Sequence, residues 1–393
     1  MTVRDSRTEI LIRFLHAHKL RGWFSWRPEE LLLQLGHFTH WGVSFLLFLD
    51  DGEKILFIPE LEPPVSASTS LSIVTHPWGD LRCSDPFSVL NSRLQAALDQ
   101  RGIARKEIGF LRAPGRSSLP ATFAEDAPLS EINIWQLTNG MSDSPACGAA
   151  FSALYLYKTV EEIERIRLAN RVARIGLDAW RSALLPGVTE VEAAAKAEYA
   201  VLNQTGGEGI DTARAWAMVQ SGPNTANSGR FNRSSGRRFE SGDLVLIEMA
   251  TCVNGYWSDL TRTETIGETS SSASELLHAV RESQQAAIQA IHPGVSAKDV
   301  DAEARRVLGA AGFADYFTHA LGHHVGFRYH DPGFAIAPGV IDVLKPGMVI
   351  TIEPGAYVPH LSAGGRLEDD IAIHDNGIEI LSAAVDGESH GQY

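Results

Sequence analysis

Residues 244–267 read LVLIEMATCVNGYWSDLTRTETIG: a mainly apolar run that ends at Glu248, a turn signal at Asn254-Gly255, and a returning arm that carries Asp259 eleven residues after Glu248. Asn-Gly between two apolar-rich arms predicts a β-hairpin, here with a carboxylate on each arm. A carboxylate on a strand buried on both faces has to be paired, hydrogen-bonded or bound to a cation. The pattern returns a hundred residues on. Gly242-DLVLI-Glu248 is matched by Gly347-MVITI-Glu353, in each case a glycine, five mainly apolar residues and a glutamate. Upstream, PGVTEVEAAAKAEYAVL at Pro186 is matched by PGVSAKDVDAEARRVL at Pro293, and the separations Gly187 to Gly242 (55) and Gly294 to Gly347 (53) agree closely. Repeated punctuation at matched spacing predicts an internal duplication, with Glu248 and Glu353 as equivalent positions.

Each glutamate has a second acidic site behind it: Asp259 after the first, and Glu368, in GGRLEDDIAI, fifteen residues after the second. Four carboxylates converging from two related hairpins repel one another, and divalent cations are the usual neutralising partners. The stretch HALGHHVGFRYHDPG adds His319, His323, His324 and His330, with Gly322 and Gly326 allowing close backbone approach. Neutral imidazole is a common transition-metal ligand and a common acid or base near neutral pH. One of these histidines is expected on a metal and others on substrate, with His324 the bystander.

The 393 residues exceed one ordinary hydrophobic core, so two domains are expected, and 44% apolar residues suffice to fill both. A formal net charge of −14 disfavours nucleic acid and anionic membrane as partners. Cys83, Cys147 and Cys252 are odd in number and far apart, which fits reduced thiols. The N-terminus MTVRDSRTE has no apolar signal core, and the run VSFLLFL is far short of the roughly 20 residues a spanning helix needs, so a cytoplasmic protein is expected. Residues 8–20 have helical spacing, and WGVSFLLFLDDGEKILFIPEL reads as two strands about Asp51-Gly52. SDSPACGA, with Pro145 and Gly148, reads as a linker. The expected domains are 1–145 and 150–393. Capping boxes at Thr159/Glu162 and Thr189/Glu192, with a related pair Ser296/Asp299, predict helix starts. The aromatic cluster Trp23, Trp26 and Trp41 is expected in the core of the first domain, with projection into a partner subunit as the alternative.

Taken in order, IEMATCVNGYWSD, GHHVG, ITIEPGAY and GRLEDD resemble the pita-bread metallopeptidases, which include aminopeptidase P, prolidase, methionine aminopeptidase and the metal-free relative creatinase. The resemblance is strong over 150–393 and compatible over 1–145. It implies an α+β protein: a small N-terminal α/β domain of creatinase type, then a C-terminal pita-bread domain with pseudo-two-fold internal duplication. It further implies two divalent ions (manganese, iron or cobalt, with zinc possible) held by Glu248, Asp259, His323, Glu353 and Glu368, with Asp259 and Glu368 bridging. Glu353 would also accept the proton of the attacking water, while His319, His330 and Arg366 bind substrate and stabilise charge on the attacked carbonyl. The implied activity is metal-dependent hydrolysis of an amide bond, by default in an Xaa-Pro dipeptide or peptide N-terminus, by a homodimer.

Two departures from the family pattern stand out. Glu248 replaces the family's aspartate, and in VQSGPNTANSGRFN the usual histidine position falls on Gly229. Among Arg230, Arg233, Arg237 and Arg238, Arg230 is the candidate for a substrate carboxylate, since arginine binds carboxylates bidentately. These departures keep open a hydrolase or lyase of the same fold acting on a non-peptide small molecule, and, more remotely, a non-catalytic scaffold.

Overall fold

The Asn254-Gly255 turn closes the expected hairpin: β7 (Leu244–Val253) pairs antiparallel with β8 (Tyr256–Thr265), and Glu248 lies opposite Thr261. Asn254 and Gly255 both take positive φ, 50° and 88°, as a tight two-residue turn demands. The computed structural model describes residues 6–36, 39, 44–62, 70–78, 83–111, 131–228 and 233–383. Gly229, Arg230 and Trp41 lie outside the described residues. The chain divides into two compact units, Met1–Tyr155 and Leu156–Tyr393.

In the first unit, α1 (Arg7–Ala17), β1 (Gly22–Ser25), α2 (Pro28–Leu35), β2 (Phe45–Leu49), β3 (Lys54–Pro59), β4 (Leu71–His76), α3 (Pro86–Asp99), β5 (Ile108–Phe110), α4 (Glu131–Thr138) and α5 (Pro145–Ser152) follow in order. The five-stranded sheet runs β4-β3-β2-β1-β5, with parallel outer pairs and antiparallel inner ones. Trp23 is fully buried and stacks on Phe151 at 4.4 Å, and Trp26 joins the core beneath the sheet. The stretch read as a linker is helix α5 instead. Ser144 caps it by accepting the Cys147 N–H, and Pro145 takes the first helical position, where the missing N–H costs nothing. The three cysteines are unpaired, and no described helix is long and apolar enough to cross a membrane.

The second unit contains the duplication. Helices α6 (Val160–Arg181) and α7 (Glu190–Leu202) precede the sheet β6 (Ala213–Ser221)-β7-β8, and α8 (Ser271–Ala290) and α9 (Ala297–Ala310) precede the second half's strands. The two halves match bond for bond in the turn before the second helix. Gly187 N–H donates to Phe239 and Phe239 N–H to Val188, while Gly294 N–H donates to Leu344 and Leu344 N–H to Val295. Gly187 and Gly294 have φ of 91° and 93°. Both capping boxes form at Thr159 and Thr189, whereas Ser296 turns its hydroxyl onto the Asp299 carboxylate and caps no N–H.

In the second half, β9 (Val349–Ile352) pairs with β12 (Asp369–His374), which also carries β13 (Gly377–Ile380), and β10 (Gly355–Val358) pairs with β11 (Ala363–Arg366). Ile352 faces Asp369 and Gly355 faces Arg366, so one register continues across the break. Continuing it puts Glu353 opposite Glu368. The tip of this ladder packs on the loop after β6. Gly364 N–H donates to Thr225 Oγ1 at 2.8 Å, and a Cβ on Gly364 would lie 2.1 Å from the Thr225 carbonyl oxygen.

Glu190, at the start of α7 and fully buried, anchors the same loop. Its carboxylate accepts from the N–H and hydroxyl of Ser221, the Asn224 amide, and the N–H and hydroxyl of Ser235. Removing a buried acceptor that serves five donors is expected to be costly. Glu190→Ala should lower the unfolding free energy by roughly 3 kcal/mol in urea denaturation. A midpoint unchanged from wild type would contradict this role.

Candidate metal centre

The inner face of the β7–β8 hairpin carries Glu248, Asp259 and Thr261, because cross-strand neighbours and positions two apart share a face. Glu353 and Glu368 arrive from the second half, joined to β8 by the Thr261–Glu368 bridge. His323 arrives on the segment after α9, where Gly322 is indispensable. A Cβ there would lie 2.0 Å from the Thr351 carbonyl oxygen, and this closeness lets Thr351 N–H donate to the His323 carbonyl at 2.8 Å.

His323 Nδ1 lies 3.0 Å from the His324 carbonyl, which can only accept, so Nδ1 carries the proton and Nε2 a lone pair. That lone pair faces Asp259 Oδ2 at 3.4 Å and Glu353 Oε1 at 3.5 Å. Burial and the neighbouring His330 push the imidazole down to about 3, so it supplies no second proton near neutrality. Asp259 Oδ1 and Glu368 Oε1 are buried with no hydrogen-bond partner. Burial, then the charge of Glu368, raises both Asp259 and Glu353 well above the ordinary carboxylate range. Potential ligand atoms of Asp259, His323 and His330, and of His323, Glu353 and Glu368, lie within 4.8 Å of one another. A constellation of lone pairs lacking donors fits a cation, and its nitrogen and oxygen donors fit a divalent transition metal.

Glu248 is placed differently from the other four expected ligands. One of its oxygens accepts from the Tyr329 hydroxyl and the other from Arg366 Nη2, all three groups being buried. Arg366 also donates from Nε to Thr261 Oγ1 (3.1 Å) and from Nη1 to the Tyr357 hydroxyl (2.9 Å). Thr261 in turn donates to Glu368 Oε2 at 2.7 Å. His319, expected on substrate, has Nδ1 on the Ala320 carbonyl (2.7 Å) and Nε2 on the Tyr357 hydroxyl (3.0 Å). With Nδ1 donating, Tyr357 must donate to Nε2. Burial and Arg366 push His319 down to about 4, which keeps it neutral. His330 is exposed and stands edge-on to His323 at 4.0 Å. His324 is buried against Phe334, away from the carboxylates. Arg237 bonds Ser221 and Asp243, and Arg238 bonds the Gly187 carbonyl, so both hold the fold together.

Several contributors were not read from the sequence. Tyr329, Tyr357 and Thr261 lie within the quoted motifs, but only the fold aims them inward. Lys158 and Asp331 form a fully buried ion pair at 2.9 Å, and Asp331 accepts the N–H groups of Phe327 and Arg328, which braces the turn carrying Tyr329 and His330. A cavity of about 520 Å³ is lined in part by Asn227, Asp315, Tyr316, Thr318, Ser362 and Tyr357, and Tyr357 links it to His319 and Arg366.

The model of metallopeptidase family M24 matches residues 164–375, more than half of the chain. The chain belongs to metallopeptidase family M24. A relative from Pyrococcus furiosus named Xaa-Pro dipeptidase is 39% identical over 231 residues, 58% of this chain and 64% of that one. The match therefore spans less than two thirds of that relative's length. An uncharacterized peptidase of Staphylococcus aureus (strain USA300) is 32% identical over 86% of this chain and 87% of its own. The solved prolidase of P. furiosus superposes with a TM-score of 0.72 at 27% identity, covering 95% of this chain and 99% of that one. The M24 pita-bread fold is thus the architecture of the chain, and divalent-metal binding is a property of the family.

Burial pushes the Glu368 carboxyl up from 4.5 to about 7. Between those values the unfolded chain has released a proton that the folded chain keeps, so the stability of the metal-free protein falls as pH rises across that window. An ion that replaces the proton binds more tightly as pH rises, by about tenfold per pH unit for each proton displaced. The rise in melting temperature produced by Mn²⁺ should therefore be larger at pH 7.5 than at pH 5.5. Equal shifts at both pH values would show that these carboxyls do not take up the metal.

Proposed function

We propose that the protein is a divalent-metal-dependent hydrolase that cleaves an amide bond in a small substrate, with an Xaa-Pro dipeptide or the Xaa-Pro N-terminus of a short peptide as the first class to test. The observation that carries this reading is the His323 Nε2 lone pair facing Asp259 and Glu353, with Glu368 beside them and buried oxygens left without donors. Asp259, His323, Glu353 and Glu368 would hold the ion. A divalent ion bound there polarises a substrate carbonyl and acidifies water.

The chain's own groups supply the rest. Glu353, whose carboxyl is raised by burial and by Glu368, receives the proton released when water attacks and returns it to the leaving nitrogen. His330, exposed beside His323, is positioned to meet the substrate. Arg366 orients Tyr357, and Tyr357 holds His319 in one tautomer at the edge of the 520 Å³ cavity. That volume suits a dipeptide-sized ligand.

Glu353→Gln keeps the shape and removes the proton acceptor, so kcat on the best Xaa-Pro substrate should fall by about 10²- to 10⁴-fold. A steady-state assay of metal-loaded enzyme and variant checks this. A second reading, hydrolysis of a non-peptide amide or amidine, draws on Glu248, which Tyr329 and Arg366 engage beside the site. Failure to hydrolyse any Xaa-Pro dipeptide or tripeptide, with turnover of a non-peptide amide, would move the assignment to that reading.

A further inference from the structure

We propose that this centre binds one divalent ion per chain rather than two, because the Arg366 guanidinium and the Tyr329 hydroxyl occupy the coordinating oxygens of Glu248. The inference rests on the metal reading above and specifies its stoichiometry. Glu248 sits on the strand position where the family resemblance calls for an aspartate. It is one methylene longer, and its carboxylate is spent on both sides: one oxygen on Tyr329, the other on Arg366. Glu248 and Arg366 are each 5% exposed and Tyr329 is 9% exposed, so water offers no replacement for either partner. Arg366 is further fixed by Thr261 and Tyr357, and Tyr329 is packed between His330 and Trp257. Swinging Glu248 onto an ion would leave a buried guanidinium and a buried hydroxyl unpaired, a heavy penalty in such surroundings.

The remaining donors also describe a single position. The two groups able to hold an ion, Asp259–His323–His330 and His323–Glu353–Glu368, share His323. With its Nδ1 proton committed to the His324 carbonyl, that imidazole has one lone pair and can ligate one ion. Only one of the two groups can therefore hold an ion with all three of its members at a time. A second dication would also have to enter space next to a permanently charged guanidinium.

The test uses the full chain, stripped with chelator and titrated with Mn²⁺ alone by calorimetry and equilibrium dialysis, with low-temperature electron paramagnetic resonance on the same samples. The wild type should take up one Mn²⁺ per chain and give the six-line spectrum of an isolated ion. Glu248→Asp combined with Tyr329→Phe, which removes the hydroxyl partner and draws the carboxylate back from Arg366 by one methylene, should raise uptake towards two and produce a spin-coupled spectrum. Tyr329→Phe alone, the gentler change, should keep the fold and leave stoichiometry at one, because Arg366 still holds Glu248. Two Mn²⁺ per wild-type chain with a coupled spectrum would overturn the one-ion inference and leave the metal reading standing. No Mn²⁺ uptake by folded wild type would overturn both.

Discussion

One unprotonated imidazole nitrogen facing two carboxylates is the constraint around which the second unit is arranged. His323 Nε2 has no hydrogen to offer Asp259 or Glu353, and once ionised neither carboxylate has one to offer it. In a buried setting such opposed lone pairs are unfavourable without a positive charge between them. The surrounding structure both creates and contains the problem. The β7–β8 hairpin delivers Asp259, the β9–β12 ladder delivers Glu353 and Glu368, and Thr261, itself held by Arg366, takes up the Glu368 oxygen that is turned away from the centre.

The duplication explains how one chain supplies two kinds of glutamate. The turns before α7 and α9 repeat the same hydrogen bonds, and an apolar strand follows in each half. The two strands then diverge. In the first half the glutamate is absorbed into an arginine–tyrosine network, and in the second it remains beside the imidazole. Pseudo-equivalent positions thus carry an electrostatic anchor on one side and a carboxylate facing an imidazole on the other.

Much of this centre was legible in the sequence, because its residues end or begin short, strongly patterned segments. Asn254-Gly255 marks the hairpin, and the paired apolar runs mark the strands that end at Glu248 and Glu353. His323 stands out through Gly322, whose missing side chain the backbone contact with Thr351 requires. What escaped was the pairing of long side chains across the fold. Nothing in a linear pattern indicates that Glu248 meets Arg366 and Tyr329, or that Lys158 finds Asp331, since these contacts join segments far apart in sequence. The misread linker at Pro145 has a local cause: proline and a capping serine open a helix as readily as they interrupt one. In the first unit the helix within 8–20 and the two strands about Asp51-Gly52 were legible, whereas the short strands β1, β4 and β5 carry no such punctuation.

The contact between Gly364 and Thr225 carries an implication for how this architecture can be altered. The tip of the ligand-bearing ladder lies directly on the backbone of the loop after β6, with no room for one additional carbon. That loop is tied through Ser221 and Asn224 to Glu190 at the start of α7. The wall of the cavity and the β10–β11 ladder are therefore not separable modules. A loop transplanted from a relative to change selectivity would have to arrive with its matching ladder tip and helix start, and these three pieces are best regarded as a single heritable unit.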